Sequence, residues 1–173
     1  MGRHVILGDR GRRRRLWPVA VATLVLTTVT PPAGSAPATF KPTVTVPVAN
    51  GPYAVAAADF NGDGFPDLAV AHAAGSTISV VISHGDGSFA PPTVVTVGNN
   101  PAAVTAADFN GDGRPDLAVA DYDTDTISVL LGHGDGTFGP HVQFVAGGDG
   151  PYSLAVADLN GDGRPDLAVA NSS

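Results

Sequence analysis

The sequence predicts an all-β protein built from a repeated four-stranded unit, and three observations carry that prediction. A block of about 49 residues recurs, with Phe60-Asn61-Gly62-Asp63-Gly64 returning at Phe109–Gly113 and, with Leu159 in place of Phe, at Leu159–Gly163. That period falls in the range of repeat architectures. Each block holds four short runs of strand-forming residues, and no apolar stripe of 3.6-residue period appears after residue 38. Four antiparallel strands in a period of this length make one propeller blade, so the fold class is a partial β-propeller of about two and a half blades.

The first element is set apart from that fold. Residues 1–38 read as a secretory leader: six arginines (Arg3, Arg10, Arg12, Arg13, Arg14, Arg15) precede an uncharged apolar run, Leu16–Val29, and the small-residue site Ala36-Pro37-Ala38. The run is shorter than the ~20 residues a spanning helix needs, so cleavage is expected rather than a membrane anchor. The paired arginines leave a twin-arginine export route open. The expected mature chain, 39–173, keeps three basic residues (Lys41, Arg114, Arg164) against fifteen aspartates, a net charge of −12. Such a surface repels nucleic acid and anionic lipid, which removes both as expected partners. The chain has no cysteine, so no disulfide braces it in an oxidising compartment.

Within each period the first strand is Ala-rich, as in Ala54–Ala58, and runs into an Asp-rich loop. Leu68–Ala71 forms a second, nearly continuous apolar strand. Thr77–Ser83 alternates, placing Ile78, Val80 and Ile82 on one face and Thr77, Ser79, Val81 and Ser83 on the other, which predicts a strand with differently solvated faces. A Gly-Asp-Gly hairpin turn follows. Thr93–Val97, β-branched throughout, is the fourth strand.

The Asp-rich loop carries the chemistry. In the first copy Asp59, Asn61, Asp63 and Asp67 hold positions one, three, five and nine; Gly64 permits the bend, and Phe65 at position seven offers its backbone carbonyl. The second copy has Asp108, Asn110, Asp112 and Asp116 with Arg114 at seven, and the third Asp158, Asn160, Asp162 and Asp166 with Arg164. An all-oxygen shell of this kind suits a hard, flexible cation, so three Ca2+ sites are expected. Turn formation alone explains Asp, Asn and Gly, but it does not require acids at one, five and nine in every copy. An EF-hand needs Glu at position twelve and flanking helices; here position twelve is Val70, Val119 and Val169, inside a strand.

These residues resemble the FG-GAP/VCBS repeats of integrin-α-type β-propellers. Asp-x-Asn-x-Asp-Gly-x-x-Asp is one hallmark, and Phe138-Gly139-Pro140 resembles the Phe-Gly signature, with Phe89-Ala90-Pro91 departing from it in the first copy. The resemblance covers residues 40–171 and implies a loop that joins the first two strands of a blade and binds calcium. The expected division is a fourth strand of a preceding blade (39–49), repeat one (50–98), repeat two (99–148) and an incomplete repeat three (149–173). A whole propeller takes four to eight blades, so the chain is expected to be a fragment of a longer protein, with closure by oligomerisation as the alternative.

The functional expectation is a secreted, non-catalytic binding or adhesion scaffold. Its calcium is structural, and its partner is another protein or a glycan, met by the variable loops His72–Ser76 and Asp121–Asp125. The alternative is the repeat region of a larger secreted enzyme. The chain itself shows no Gly-x-Ser-x-Gly, no His-Glu-x-x-His and no cysteine nucleophile, so no catalytic residue is expected. His84 and His133 read as repeat features, His72 and His141 as surface histidines, and Tyr53 and Tyr152 as packing residues.

Overall fold

The computed structural model describes residues 21–23 and 44–172. The expected leader lies outside the described residues apart from Val21–Thr23. That segment forms β1 and pairs antiparallel with β2 (Thr45–Pro47). Among the described residues every regular element is a strand.

Blade one runs β3 (Pro52–Ala58), β4 (Asp67–His72), β5 (Thr77–Val81), β6 (Thr93–Thr96), and these four pair antiparallel in chain order. Blade two repeats the pattern with β7 (Pro101–Ala107), β8 (Asp116–Asp121), β9 (Thr126–Leu130) and β10 (Val142–Val145). A third unit supplies β11 (Pro151–Ala157) and β12 (Asp166–Asn171), which pair with each other. Short turns allow this meander because consecutive antiparallel strands need only a tight connection. The architecture is the partial β-propeller that the repeat predicts.

Strand alternation gives each blade two apolar faces. One face of blade one carries Ala69, Ala71, Ile78 and Val80; with Phe60 and Val97 it packs on Val104, Leu117, Val119 and Leu130 of blade two. Small residues thus meet large ones across the seam. Phe60 and Phe138 close its rim edge to face, with ring centroids 5.3 Å apart. The opposite face of blade two repeats the small-residue set with Ala118, Ala120 and Ile127 and meets Leu154, Leu167 and Val169 of the third unit.

Two expectations need correction. The alternating run was expected to have differently solvated faces, but Ile78, Ser79, Val80 and Val81 are all buried. On the second face Ser79 is buried against the equally buried His72, whose Nε2 lies 2.8 Å from its Oγ. Tyr53 and Tyr152 were expected to pack; they are exposed instead, each at the point where the register between first and second strands shifts. A bulge re-aims the side chain at such a point.

Candidate metal centres

Each Asp-rich loop connects the first and second strands of its unit and folds around its own side chains. In loop one, Asp59 Oδ1 accepts from the backbone N–H of Gly62 (2.8 Å) and Asp63 (3.1 Å), and Oδ2 accepts from Gly64 (2.8 Å). Asn61 Oδ1 accepts from the Asp63 N–H at 3.1 Å, while Asn61 Nδ2 donates to Asp63 Oδ2 at 2.8 Å. Asp63 Oδ1 in turn accepts from the Phe65 N–H at 2.8 Å. Gly64 makes the bend with a φ of 86°, a left-handed conformation that a side chain would strain. Loop two reproduces these bonds through Asp108, Asn110 and Asp112. In loop three Asp158 and Asp162 do the same, but Asn160 Nδ2 donates to Asp166.

Position nine behaves differently. Asp67 is fully buried, and its carboxylate accepts from the Phe60 N–H (2.9 Å) and from the Ser83 N–H (2.7 Å), just past the third strand. Asp116 does the same with Phe109 (3.0 Å) and Gly132 (2.8 Å). Asp166 is half-buried and turns only to its own loop, to the N–H groups of Leu159 and Asn160.

The donor chemistry fits a hard cation. Each loop presents three carboxylates, an amide oxygen and the carbonyl of Phe65, Arg114 or Arg164. Hydrogen bonds from Asn61 and the Phe65 N–H hold Asp63 below the ordinary carboxylate range, and bonds from Asn110 and the Arg114 N–H do so for Asp112. Backbone donors, Gly163 first, lower Asp158. These acids therefore stay ionised. Among the described residues, however, no three acids or histidines are gathered as a metal-binding group. Calcium would exchange some loop N–H contacts of Asp59 and Asp63 for the ion.

A second set of buried polar groups escaped the sequence reading. His72, Asp121 and Asn171 hold the same position at the end of the second strand, offset by 49 and 50 residues. His72, expected at the surface, is 1% exposed, and its Nε2 meets Ser79 Oγ at 2.8 Å. Asp121, expected in a solvated recognition turn, is wholly buried and accepts from Ser128 Oγ at 2.6 Å. Asn171 Nδ2 donates to the carbonyl of Ala146 at 3.3 Å. His72 Nδ1, Asp121 Oδ1 and Asn171 Oδ1 each lack a hydrogen-bond partner. Burial pushes His72 down and Asp121 up from their ordinary values. The signal available was the register: one variable polar residue after each Leu-Ala-Val-Ala, two strand pairs from a serine.

The variable turns also carry structural contacts. Asp125, at a φ of 54°, accepts from the Gly150 N–H at 2.7 Å, and Asp123 accepts from Asn100 Nδ2 at 3.1 Å. His84 and His133 are exposed beside their hairpin turns, as the repeat predicts, and His141 is half-buried.

A family model described as FG-GAP-like repeat matches residues 33–70, 60–119 and 108–169. Among curated proteins none matches the chain.

Proposed function

The chain belongs to the FG-GAP-like repeat family, and on that premise we propose that it is a secreted calcium-binding scaffold without catalytic activity. The observation that carries this is the threefold recurrence of one loop, ionised acids included, at the same place in each unit. Asp59, Asn61, Asp63, Asp67 and the carbonyl of Phe65 hold the first ion, with the corresponding residues of loops two and three holding the others. The ion's work is mechanical: it neutralises carboxylates that repel one another. With free calcium about tenfold above the dissociation constant, each site adds roughly 1.4 kcal/mol. That is a useful share of a typical stability of ~5–15 kcal/mol in a chain without disulfides.

Export follows from the Arg-rich, apolar, Ala-x-Ala leader, whose removal takes β1 away and leaves β2 unpaired. The blade frame then presents turns to another protein or a glycan, which is the adhesion role. Calcium titration followed by thermal melting tests the metal reading. A rise of the midpoint that saturates with three equivalents of calcium is expected, and magnesium should do much less. An unchanged midpoint would defeat the reading.

A further inference from the structure

We propose that the hairpin Gly132–Phe138 of blade two couples calcium sites one and two, so that an ion at either site strengthens binding at the other. The coupling rests on the calcium reading above and adds a regulation to it. This hairpin joins β9 to β10 and lies in the seam between the two blades, where it is bonded to both Asp-rich loops.

One end of the hairpin reaches site two. The Gly132 N–H donates to Asp116 Oδ1 at 2.8 Å, and Asp116 holds position nine of loop two. The other end reaches site one. The Gly136 N–H donates across the seam to the Phe60 carbonyl at 2.9 Å, and the Phe60 N–H donates to Asp67 Oδ2 at 2.9 Å. Asp67 holds position nine of loop one. Between these ends the hairpin is closed on itself, by the bridge of Gly132 to Phe138 and by the His133 N–H, which donates to the Thr137 carbonyl at 3.0 Å. Two carboxylates assigned to different ions are thus bonded to one rigid hairpin, one of them directly and the other through the single residue Phe60.

Packing follows the same path. The Phe60 ring is 2% exposed and meets Phe138, the last residue of the hairpin. A methyl group on Gly136 would lie 3.7 Å from Asn61 Cβ, so the turn rests on position three of loop one as well. On its other side, a methyl group on Gly134 would come within 3.0 Å of Arg114 Cδ, at position seven of loop two. An ion at either site fixes the loop that holds it, and with that loop the hairpin. The ordering cost of the shared hairpin falls on whichever ion binds first, and the second binds more tightly. Coupling is carried by such contiguous bonded and packed elements, and its effect on affinity starts at about fivefold. Site three stands outside the path. Asp166 bonds only to its own loop, and among the described residues no backbone bond runs from the hairpin to loop three.

Amide NMR of the chain during calcium addition tests the coupling, because each loop has its own reporter. The N–H groups of Gly64, Gly113 and Gly163 donate to Asp59, Asp108 and Asp158 and read sites one, two and three. In the parent chain the Gly64 and Gly113 signals should saturate together and more steeply than that of Gly163. Asp63→Ala disables site one without touching the hairpin, since Asp63 is exposed and its hydrogen bonds stay within its loop. It should raise the calcium needed at Gly113 about fivefold and leave Gly163 unchanged. Asp112→Ala should weaken the response of Gly64 by the same factor, because coupling is reciprocal. Hydrogen exchange of the Gly136 amide should slow when either site is filled. A Gly113 response unmoved by Asp63→Ala, unequal factors in the two directions, a matching loss at Gly163, or a Gly136 amide indifferent to calcium would each overturn the proposal. If none of the three glycine signals responds to calcium, the calcium reading falls and the coupling with it; three independent responses would strike the coupling alone.

Discussion

Loops one and two differ from loop three in the surroundings of the aspartate at position nine, to which the Asn160 amide also turns in the third loop. In the first two, that side chain is buried and joins the loop to the end of the third strand, through the Ser83 and Gly132 N–H groups. In the third unit Asp166 bonds only within its own loop, and it is half-buried. The part of the loop organised by positions one and five is nearly the same in all three. Local sequence therefore suffices for the loop's shape. In units one and two the ninth position ties that shape into the blade.

The widest gap between the two kinds of loop should appear on deleting that carboxylate. Asp116→Ala strands two N–H groups, one of them deep in blade two, and should cost about 3–5 kcal/mol by urea denaturation, since each buried unsatisfied donor costs ~1–3 kcal/mol. In calcium-free solution, used for both variants so that no bound ion contributes, Asp166→Ala should cost under about 1 kcal/mol, because solvent can replace its contacts. Equal losses would erase the distinction.

A smaller effect separates seams rather than loops. Gly98 lies against the Asp121 carboxylate, so that a methyl group there would collide with it, and the Gly98 N–H donates to Ser128 Oγ at 3.3 Å. Gly98→Ala should destabilise by about 2 kcal/mol through overpacking. Gly75, with open space where a side chain would go and no left-handed φ, should accept alanine at little cost. Thermal midpoints of the two variants compare a filled seam with an open turn, and a Gly98→Ala protein as stable as its parent would mean the seam yields.

How far the sequence reaches follows the same line between local and distant contacts. Strand order, blade count and loop positions were legible because the period, the Gly-Asp-Gly turns and the acids at one, five and nine are short-range patterns. The Ser83 partner of Asp67 was not, since it sits sixteen residues away and is recruited by its backbone. Nor was the burial of Ser79 and Ser128. Period-two alternation sorts a strand's residues onto two faces but does not say what lies against each, and in blade two a neighbouring unit covers both. His72 looked like a surface histidine for the same reason.

The smallest effect is a difference in acid response between two blades at one position. Burial lowers His72 below its ordinary value of 6.5, so the unfolded chain binds that proton more readily. The stability this neutral histidine gives is present above about pH 6.5 and is lost as pH falls through its folded value. Asp121 works in the opposite sense. Burial raises it above 3.8, against hydrogen bonds from Ser128 and Thr126 and the charge of His141, so the folded chain holds its proton more tightly. Its contribution is greatest below about pH 3.8 and falls as pH rises through the folded value, leaving a buried charge that weakens the fold at neutrality. Asp121→Asn should therefore gain on the order of 1 kcal/mol at pH 7 and lose that advantage as the solution is acidified. His72→Asn, which installs the residue found at position 171, should remove the loss of stability that begins below pH 6.5. Melting midpoints from pH 4 to 8 read both effects. If the difference between each variant and its parent is flat across that range, neither group titrates differently on folding, and the equivalence of the three polar positions is one of shape alone.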